Sequence, residues 1–471
     1  MVRLACLSLS LLLLAGCSPV APPERSHELV VAIRSGPSSY QVDNGVATGF
    51  EHDVVEAFAE SQHLRVRYVV VDDQSELRAL LRKGKVNFAA SAAIDDQHEF
   101  LYSTPLRESD QVLVGAADDE NLTTEPVDLT GKSVAAMFGS PQSATLQRMA
   151  GNPPQFVLSV RTGVTEFDLL RDVAERRVAY AATDMLQYKL ALHFLPDLEV
   201  AFKLSGQIRF GWAFRQQDRS LRQRANDFIQ DASAKNGLLA RLTDHYFGYI
   251  ERIKADGIAE LFRHMRSLLP SYRREFQTAQ ASTGIDWRLL AALAYQESKW
   301  DPLATSFTNV RGIMMLTEDT ADLLHVNDRL DPKQSIQAGS KYFSDLKDQL
   351  PDEVKEPDRT WLALAAYNLG MGHLNAARAI AVRKKRDPNS WYEMKQVLPL
   401  LARPEYYDRL KSGMGRGGEA VVLVENIRTY YDILSHFEPA WQPGLQMPLS
   451  FSKPPIQGRN AKGTVKLPSA F

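Results

Sequence analysis

Glu28–Glu60 reads ELVVAIRSGPSSYQVDNGVATGFEHDVVEAFAE. Leu29–Ile33 is a strand-like apolar run, and Asp53–Glu60 carries apolar residues at helical spacing. Val66–Val71 is a second run; Ser75 caps a helix through Leu81, Gly84 ends it, and Val86–Ala90 follows as a strand. The same alternation returns at Lys132–Met137, Thr165–Arg176, Val178–Ala182 and Asp184–Phe194. Strands alternating with helices predict α/β architecture with mostly parallel sheets. Gln111–Gly115 and Ile208–Phe214 are candidates for two crossings between a pair of lobes.

After about Asp218 the strands stop. Leu221–Ser233, Leu238–Lys254 and Ile258–Leu269 read as helices, and helices continue to about Phe437. The stretch from Pro439 is rich in proline and glycine and lacks periodicity, which predicts disorder. The chain therefore splits into an α/β half and an all-α half, with the boundary near residues 250 to 268.

Composition agrees with a multi-domain globular chain: 471 residues, 44% hydrophobic and 24% charged. Lys+Arg 55 against Asp+Glu 57 gives a net charge of -2, so no overall positive charge draws the chain to nucleic acid. The only cysteines are Cys6 and Cys17, which excludes a disulfide framework, a Cys-based zinc site or a cysteine nucleophile from the body of the protein.

Met1–Cys17 (MVRLACLSLSLLLLAGC) has a short positive region and an apolar run too short to span a bilayer. It has the form of a secretory signal peptide. Leu14-Ala15-Gly16-Cys17 resembles a bacterial lipobox, which implies cleavage and acylation of Cys17 and a lipid anchor. Ser18 after the cysteine resembles the sorting pattern for the periplasmic side of the outer membrane. Residues 18–27 then read as a Pro-rich tether.

The opening segment, with Gly45, Gly49, Phe50, Asp53 and Ala57 in the pattern "G…GFxxDvxxAfA", resembles family 3 periplasmic solute-binding proteins over about residues 28–250. That family captures amino acids between two lobes that close by a hinge. Its ligand-carboxylate arginine has no counterpart here: the aligned loop reads AAIDDQHEFLYSTP, with His98 or Gln97 in its place. An imidazole does not replace a bidentate guanidinium fork. Asp184 matches the family position for the ligand's amino group, although a helix N-cap explains it equally well. Ser140, with Gly139, begins a helix that could offer N–H groups to an anion, or is simply a cap. A pocket for a peptide or muropeptide fragment is expected rather than one for a free amino acid.

In the all-α half, Ile285–Pro302 reads IDWRLLAALAYQESKWDP. Asp286 can cap this helix and Pro302 prevents its continuation. Leu289, Leu290, Leu293, Ala294 and Glu297 fall on one apolar stripe. A carboxylate there is desolvated, and the helix C-terminus also disfavours its anion, so its pKa should rise into general-acid range. From periodicity alone, a surface glutamate at a frayed helix end explains the residue better.

A resemblance reverses that weighting. Glu297-Ser298 with Trp300, Pro302, Ala304 and Ser306, then Gly312-Ile313-Met314, is similar to the first two motifs of soluble-type lytic transglycosylases, which share the goose-type lysozyme fold. Ala365-Ala366-Tyr367-Asn368 with Gly370 and Gly372 resembles the third, and Val424-Glu425-Asn426-Ile427 with Tyr430 the fourth. Met315 stands where the family has glutamine, and Leu423 where it has an aromatic.

The resemblance implies catalysis by Glu297 on peptidoglycan glycan strands, with Ser306, Gly312, Met314, Tyr367, Asn368 and Tyr430 binding substrate. It implies no metal and no organic cofactor. The expected organisation is 1–17 signal peptide, 18–27 tether, 28–250 a two-lobed periplasmic-binding-protein-like α/β domain and 251–267 a helical linker. An all-α lysozyme-like domain over 268–438 and a tail over 439–471 complete it. A muramidase-type hydrolase on the same fold and a non-enzymatic solute receptor remain the alternatives.

Overall fold

The computed structural model describes residues 19–442, apart from 37, 44, 121, 152, 153, 235 and 236. The signal sequence, Cys17 with its expected acylation, and the tail beyond 442 lie outside the described residues. By contact, the chain forms two compact units. One comprises residues up to 263 together with 352–429, and the other 264–351 with residues from 430 onward.

The first unit is built on a mixed sheet. Glu28–Arg34 lies between Arg65–Val71 and Phe88–Ala93, parallel to both. Tyr180–Asp184, Ser133–Met137 and Val157–Arg161 form a second parallel group. Two long strands, Arg107–Ala116 and Leu198–Phe214, run antiparallel to each other and join the groups. The crossings expected at Gln111–Gly115 and Ile208–Phe214 therefore exist but are longer. The second is 17 residues, with register shifts between Val200 and Phe202 and between Lys203 and Gln207. Those irregularities hide it from a period-two reading.

Each lobe has its own core. Ile33, Phe50, Val54, Phe58, Phe88 and Trp212 are buried together in the first lobe, while Val112, Ala135, Leu169 and Ala181 are buried in the second. Ser75 is not the cap of its helix. Asp73 accepts from the Glu76 N–H at 2.9 Å, and Ser75 Oγ donates to the same carboxylate. Thr165 does cap its helix, in a reciprocal capping box with Asp168. The expected tether docks in its described part: Pro23–Ser26 is a helical turn, and the Val20 N–H donates to the Gly84 carbonyl at 2.7 Å.

The helix expected over Leu238–Lys254 ends at Phe247. Arg428 donates to the His245 carbonyl and lies over the Tyr249 ring at 4.4 Å, and Lys395 pairs with Asp244. These contacts place the helical stretch 352–429 with the α/β half.

In the second unit, the helix Leu269–Thr283 packs against Trp287–Ser298 and Pro332–Asp348. Asp286 caps Trp287–Ser298 as expected, accepting from the Arg288 N–H at 2.9 Å. The helix stops three residues before Pro302 would require it. Lys299 and Trp300 both adopt positive φ, at 56° and 64°. Left-handed non-glycine residues cost on the order of 1 kcal/mol each, offset here by complete burial of the Trp300 indole.

Candidate active site

Glu297 sits in the last turn of Trp287–Ser298, at the end of its apolar stripe. It is half-buried by accessible area, and among the described residues no group hydrogen-bonds its carboxyl. Burial pushes that carboxyl up to about 8, with no charged neighbour contributing. A neutral carboxylic acid at neutral pH is a proton donor.

The next residue fixes the end of this helix. Ser298 Oγ donates to the Ile313 carbonyl at 2.8 Å and approaches the Ala294 carbonyl at 3.2 Å. Trp300 Nε1 donates back to the Ala291 carbonyl at 2.8 Å. Behind the helix, Tyr295 packs edge-on against Trp300 and Tyr430, with centroids 4.7 and 4.9 Å apart. Lys299 Nζ lies 4.5 Å from the Tyr295 ring centroid and 3.3 Å from the Tyr430 hydroxyl. Tyr430, only 4% exposed, thus supports the helix end rather than facing solvent. Sequence reasoning missed Lys299, whose only signal was its place two residues after the acid.

Gly312 has φ +84°, and its N–H donates to the Ala304 carbonyl at 2.9 Å. A Cβ there would lie 1.8 Å from the Arg329 carbonyl oxygen, so only glycine fits this turn. Met314, expected at the substrate, is fully buried. A Cβ on Gly339 would meet the Met314 Cβ at 2.7 Å, and the Met314 N–H donates to Ser335 Oγ at 3.3 Å. Methionine 314 is core in this structure and presents no surface to a sugar. Met315 beside it is half-buried, with φ 47°.

Ser306 fastens its own loop. Its Oγ accepts from the Val310 N–H at 3.1 Å and shares a 2.9 Å bond with Thr308 Oγ1, and no bond to Glu297 forms. Phe307 in the same loop is 93% exposed.

Tyr367 and Asn368 belong to the other unit, in the last turn of Asp358–Leu369. Tyr367 is half-buried and Asn368 exposed. Glu425 lies in that unit too, and its environment is the reverse of that of Glu297. It is fully buried and accepts from Trp391 Nε1 at 2.7 Å and Arg428 Nη1 at 3.1 Å, with Lys395 Nζ 3.5 Å away. Burial opposes ionisation, but Arg428 and Lys395 outweigh it and hold this carboxyl below its ordinary value. Glu425 is a compensated structural anion.

In the α/β half, His98 is exposed on a loop, its carbonyl accepting from Gln216 Nε2 at 2.8 Å. Ser140 is a buried cap that accepts from the Ser143 N–H at 3.1 Å and donates to the Met137 carbonyl at 2.7 Å. Asp184 is an N-cap, taking the Leu186 and Gln187 N–H groups on Oδ1, with Ser109 Oγ donating to the same atom at 2.9 Å. Arg107, which the sequence reading passed over, stands 3.7 Å from that oxygen. Among the described residues no cluster of three or more His, Cys, Asp or Glu could hold a metal ion, and no helix is long and apolar enough to cross a membrane.

Residues 274–390 match the family described as Transglycosylase SLT domain, and residues 29–249 match Bacterial extracellular solute-binding proteins, family 3. A protein of Methylobacillus flagellatus named membrane-bound lytic murein transglycosylase F is 39% identical over 456 residues, covering 94% of this chain and 96% of that protein. Proteins of the same name in Nitrosospira multiformis and Thiobacillus denitrificans are 39% and 38% identical, covering 92% of this chain in each case and 91% and 93% of their own lengths. Among solved structures, a T. maritima ArgBP variant matches at 20% identity and a TM-score of 0.43, over 48% of this chain and 97% of its own.

Proposed function

This chain belongs to the membrane-bound lytic murein transglycosylase F family and is a lytic transglycosylase, and from that premise we propose that Glu297 acts alone as acid and then base in a non-hydrolytic cut of peptidoglycan. The protonated carboxyl gives its proton to the glycosidic oxygen between N-acetylmuramic acid and N-acetylglucosamine as the bond from C1 to that oxygen breaks. The carboxylate left behind takes the proton of the muramyl 6-hydroxyl, whose oxygen bonds to C1 of its own sugar. The product is a 1,6-anhydromuramyl end, and no water is consumed. Because nucleophile and electrophile share one sugar ring, proximity replaces an activated water. Two-carboxylate glycosidases need a second acid beside the bond. The observation that carries the reading is a half-buried carboxyl in the last turn of an apolar helix, without a hydrogen-bond partner among the described residues and pushed up to about 8 by burial.

Ser306, Gly312, Tyr367 and Asn368 are proposed to border the glycan, and Tyr430 to support the acid's helix. The limits 28–250 and 268–438, with a linker over 251–267, are proposed as the sequence units, while by contact 352–429 packs with the α/β half. Acylation at Cys17 would hold the enzyme at the periplasmic side of the outer membrane, where it would act in cell-wall turnover. The α/β half is proposed to bind a small ligand and tune activity. Arg428 supports this, because it donates from the helical stretch 352–429 to the His245 carbonyl of the α/β half. The neighbouring Tyr246 hydroxyl donates to Asp53, near the start of the first-lobe helix Phe50–Ser61.

Mass analysis of purified sacculi treated with wild type and with Glu297→Gln tests the chemistry. Anhydro ends from the wild type and none from the variant are expected. Reducing ends would instead mean hydrolysis.

A further inference from the structure

Residues 304–312, between the acid's helix and the Gly312 turn, fold as a small hairpin. The Gly312 N–H donates to the Ala304 carbonyl at 2.9 Å, Thr305 and Arg311 pair, and the Ser306 N–H donates to the Val310 carbonyl at 2.9 Å. Phe307, Thr308 and Asn309 close it. The Asn309 N–H donates to the Ser306 carbonyl at 3.1 Å, and Asn309 takes the positive φ, 64°, that such three-residue loops place at their third position. Arg329 Nη1 pins the loop from outside, donating to the Asn309 carbonyl at 2.8 Å and the Leu316 carbonyl at 3.1 Å. At the base, the Ser298 bond to Ile313 ties the hairpin to the end of the Glu297 helix.

Turn chemistry accounts for Ser306 and Asn309 but not for Phe307. Turn corners favour Gly, Pro, Asn, Asp and Ser. The Phe307 ring, 93% exposed, makes almost no contact with the fold. Leu303, on the approach to the hairpin, is exposed as well, and the exposed Thr305, Thr308 and Asn309 set hydroxyl and amide groups on the same loop. A pyranose ring matches such a surface. Its polarised C–H bonds are attracted to the negative face of an aromatic ring, and its hydroxyl and acetamido groups bond to hydroxyls and amides. A bilayer or a protein partner calls for a broader apolar face than one ring and one leucine. At about 3.3 Å per residue, the tip reaches about 10 Å from the base that is tied to the acid.

We infer that Phe307 is a stacking platform for a sugar ring of the glycan strand away from the cleaved bond, and so sets the affinity for long strands. This rests on the glycan-cutting role of Glu297 proposed above and adds a specificity-determining residue to that site.

Co-sedimentation of the detergent-solubilised full chain with purified sacculi tests it, with Glu297→Gln in every form so that no strand is cut. Phe307→Ala should bind at least about 10-fold more weakly, the burial of one phenyl ring being lost. Phe307→Leu, apolar but without a ring, should fall between the two, and Phe307→Trp should bind as the parent does. In the cutting enzyme, Phe307→Ala should raise KM on solubilised glycan strands by the same factor, with kcat moved less than about twofold. Equal binding by Phe307→Ala overturns the assignment and gives the ring to another partner. Equal weakening by Phe307→Trp overturns it too, in favour of loop shape. Because the ring touches almost nothing, all three variants should melt with the parent, and early melting of Phe307→Ala would place the ring in the fold instead. None of these failures touches the anhydro-end assay of Glu297. Anhydro ends from Glu297→Gln would overturn the acid, while the KM comparison at Phe307 would still stand.

Discussion

Ser298 Oγ donates to the Ile313 carbonyl at 2.8 Å, tying the residue after Glu297 to the turn that contains Gly312. The acid's helix end and the turn are thereby held at a fixed spacing by one hydrogen bond. Ser298→Ala removes it and leaves a carbonyl short of a donor, at a cost of about 1 kcal/mol in stability. Turnover of sacculi should fall about 10-fold with KM little changed, because misplacement of a catalytic group is felt in the transition state. Ser298→Thr, which keeps the hydroxyl, should recover most of it. A loss of stability with full turnover would confine Ser298 to a structural role.

The Gly312 turn permits a sharper test. A methyl group 1.8 Å from the Arg329 carbonyl oxygen overlaps backbone, not a side chain that can swing aside. Positive φ adds strain for any residue with a Cβ. Gly312→Ala should lose more than about 3 kcal/mol in chemical denaturation, at the upper end of overpacking costs. Its turnover should fall with it. A near-wild-type denaturation midpoint would show that the turn tolerates another conformation.

Much of this architecture is readable in the chain because burial leaves a periodic trace. The central parallel strand Glu28–Arg34 carries a continuous buried apolar run, Leu29–Ile33, and Thr165, Asp184 and Asp286 cap their helices. Glu297 falls on the apolar stripe by the same periodicity, but periodicity alone favours a surface glutamate there, and its role is legible only through the resemblance of Glu297-Ser298 and the motifs after it to lytic transglycosylases. Met314 is not legible, since a methionine beside a turn suits a groove as well as a core, and only the approach of Gly339 decides between them. Arg107 is silent in sequence because the residues it meets, Phe210 and Asp184, are distant in the chain.

Side-chain bonds join the two lobes. Arg34 of the first lobe pairs with Glu166 of the second, with side chains 5% and 10% exposed. Gln187 Nε2 donates to Ser38 Oγ at 2.6 Å, and the Gly163 N–H donates to Asp73 at 3.1 Å. Breaking a buried pair from one side strands the other charge, at about 3–5 kcal/mol, whereas removing both is far milder. Arg34→Met and Glu166→Gln should therefore each lower stability more than the double variant. A double-variant cycle in thermal melts that gives simple additivity would remove this pair from the account of closure.

The last prediction concerns the acid itself, and it joins activity to stability with opposite signs. A carboxyl whose pKa is about 8 when folded and 4.5 in its ordinary state is protonated in both states below pH 4.5 and contributes nothing there. Between pH 4.5 and 8 the unfolded chain releases the proton while the folded one keeps it. Stability is therefore drawn down as pH rises through that window, and levels off above 8. Activity needs the proton, so kcat/KM should fall tenfold per pH unit above about 8 on the basic limb. Glu297→Gln, neutral at every pH, should remove both effects together. It should be inactive yet melt higher than wild type at pH 8, by on the order of 1–3 kcal/mol, and match wild type near pH 4. A variant equal to wild type in stability across that range would mean that Glu297 is solvated like any surface glutamate, and the basic limb would then belong to another group.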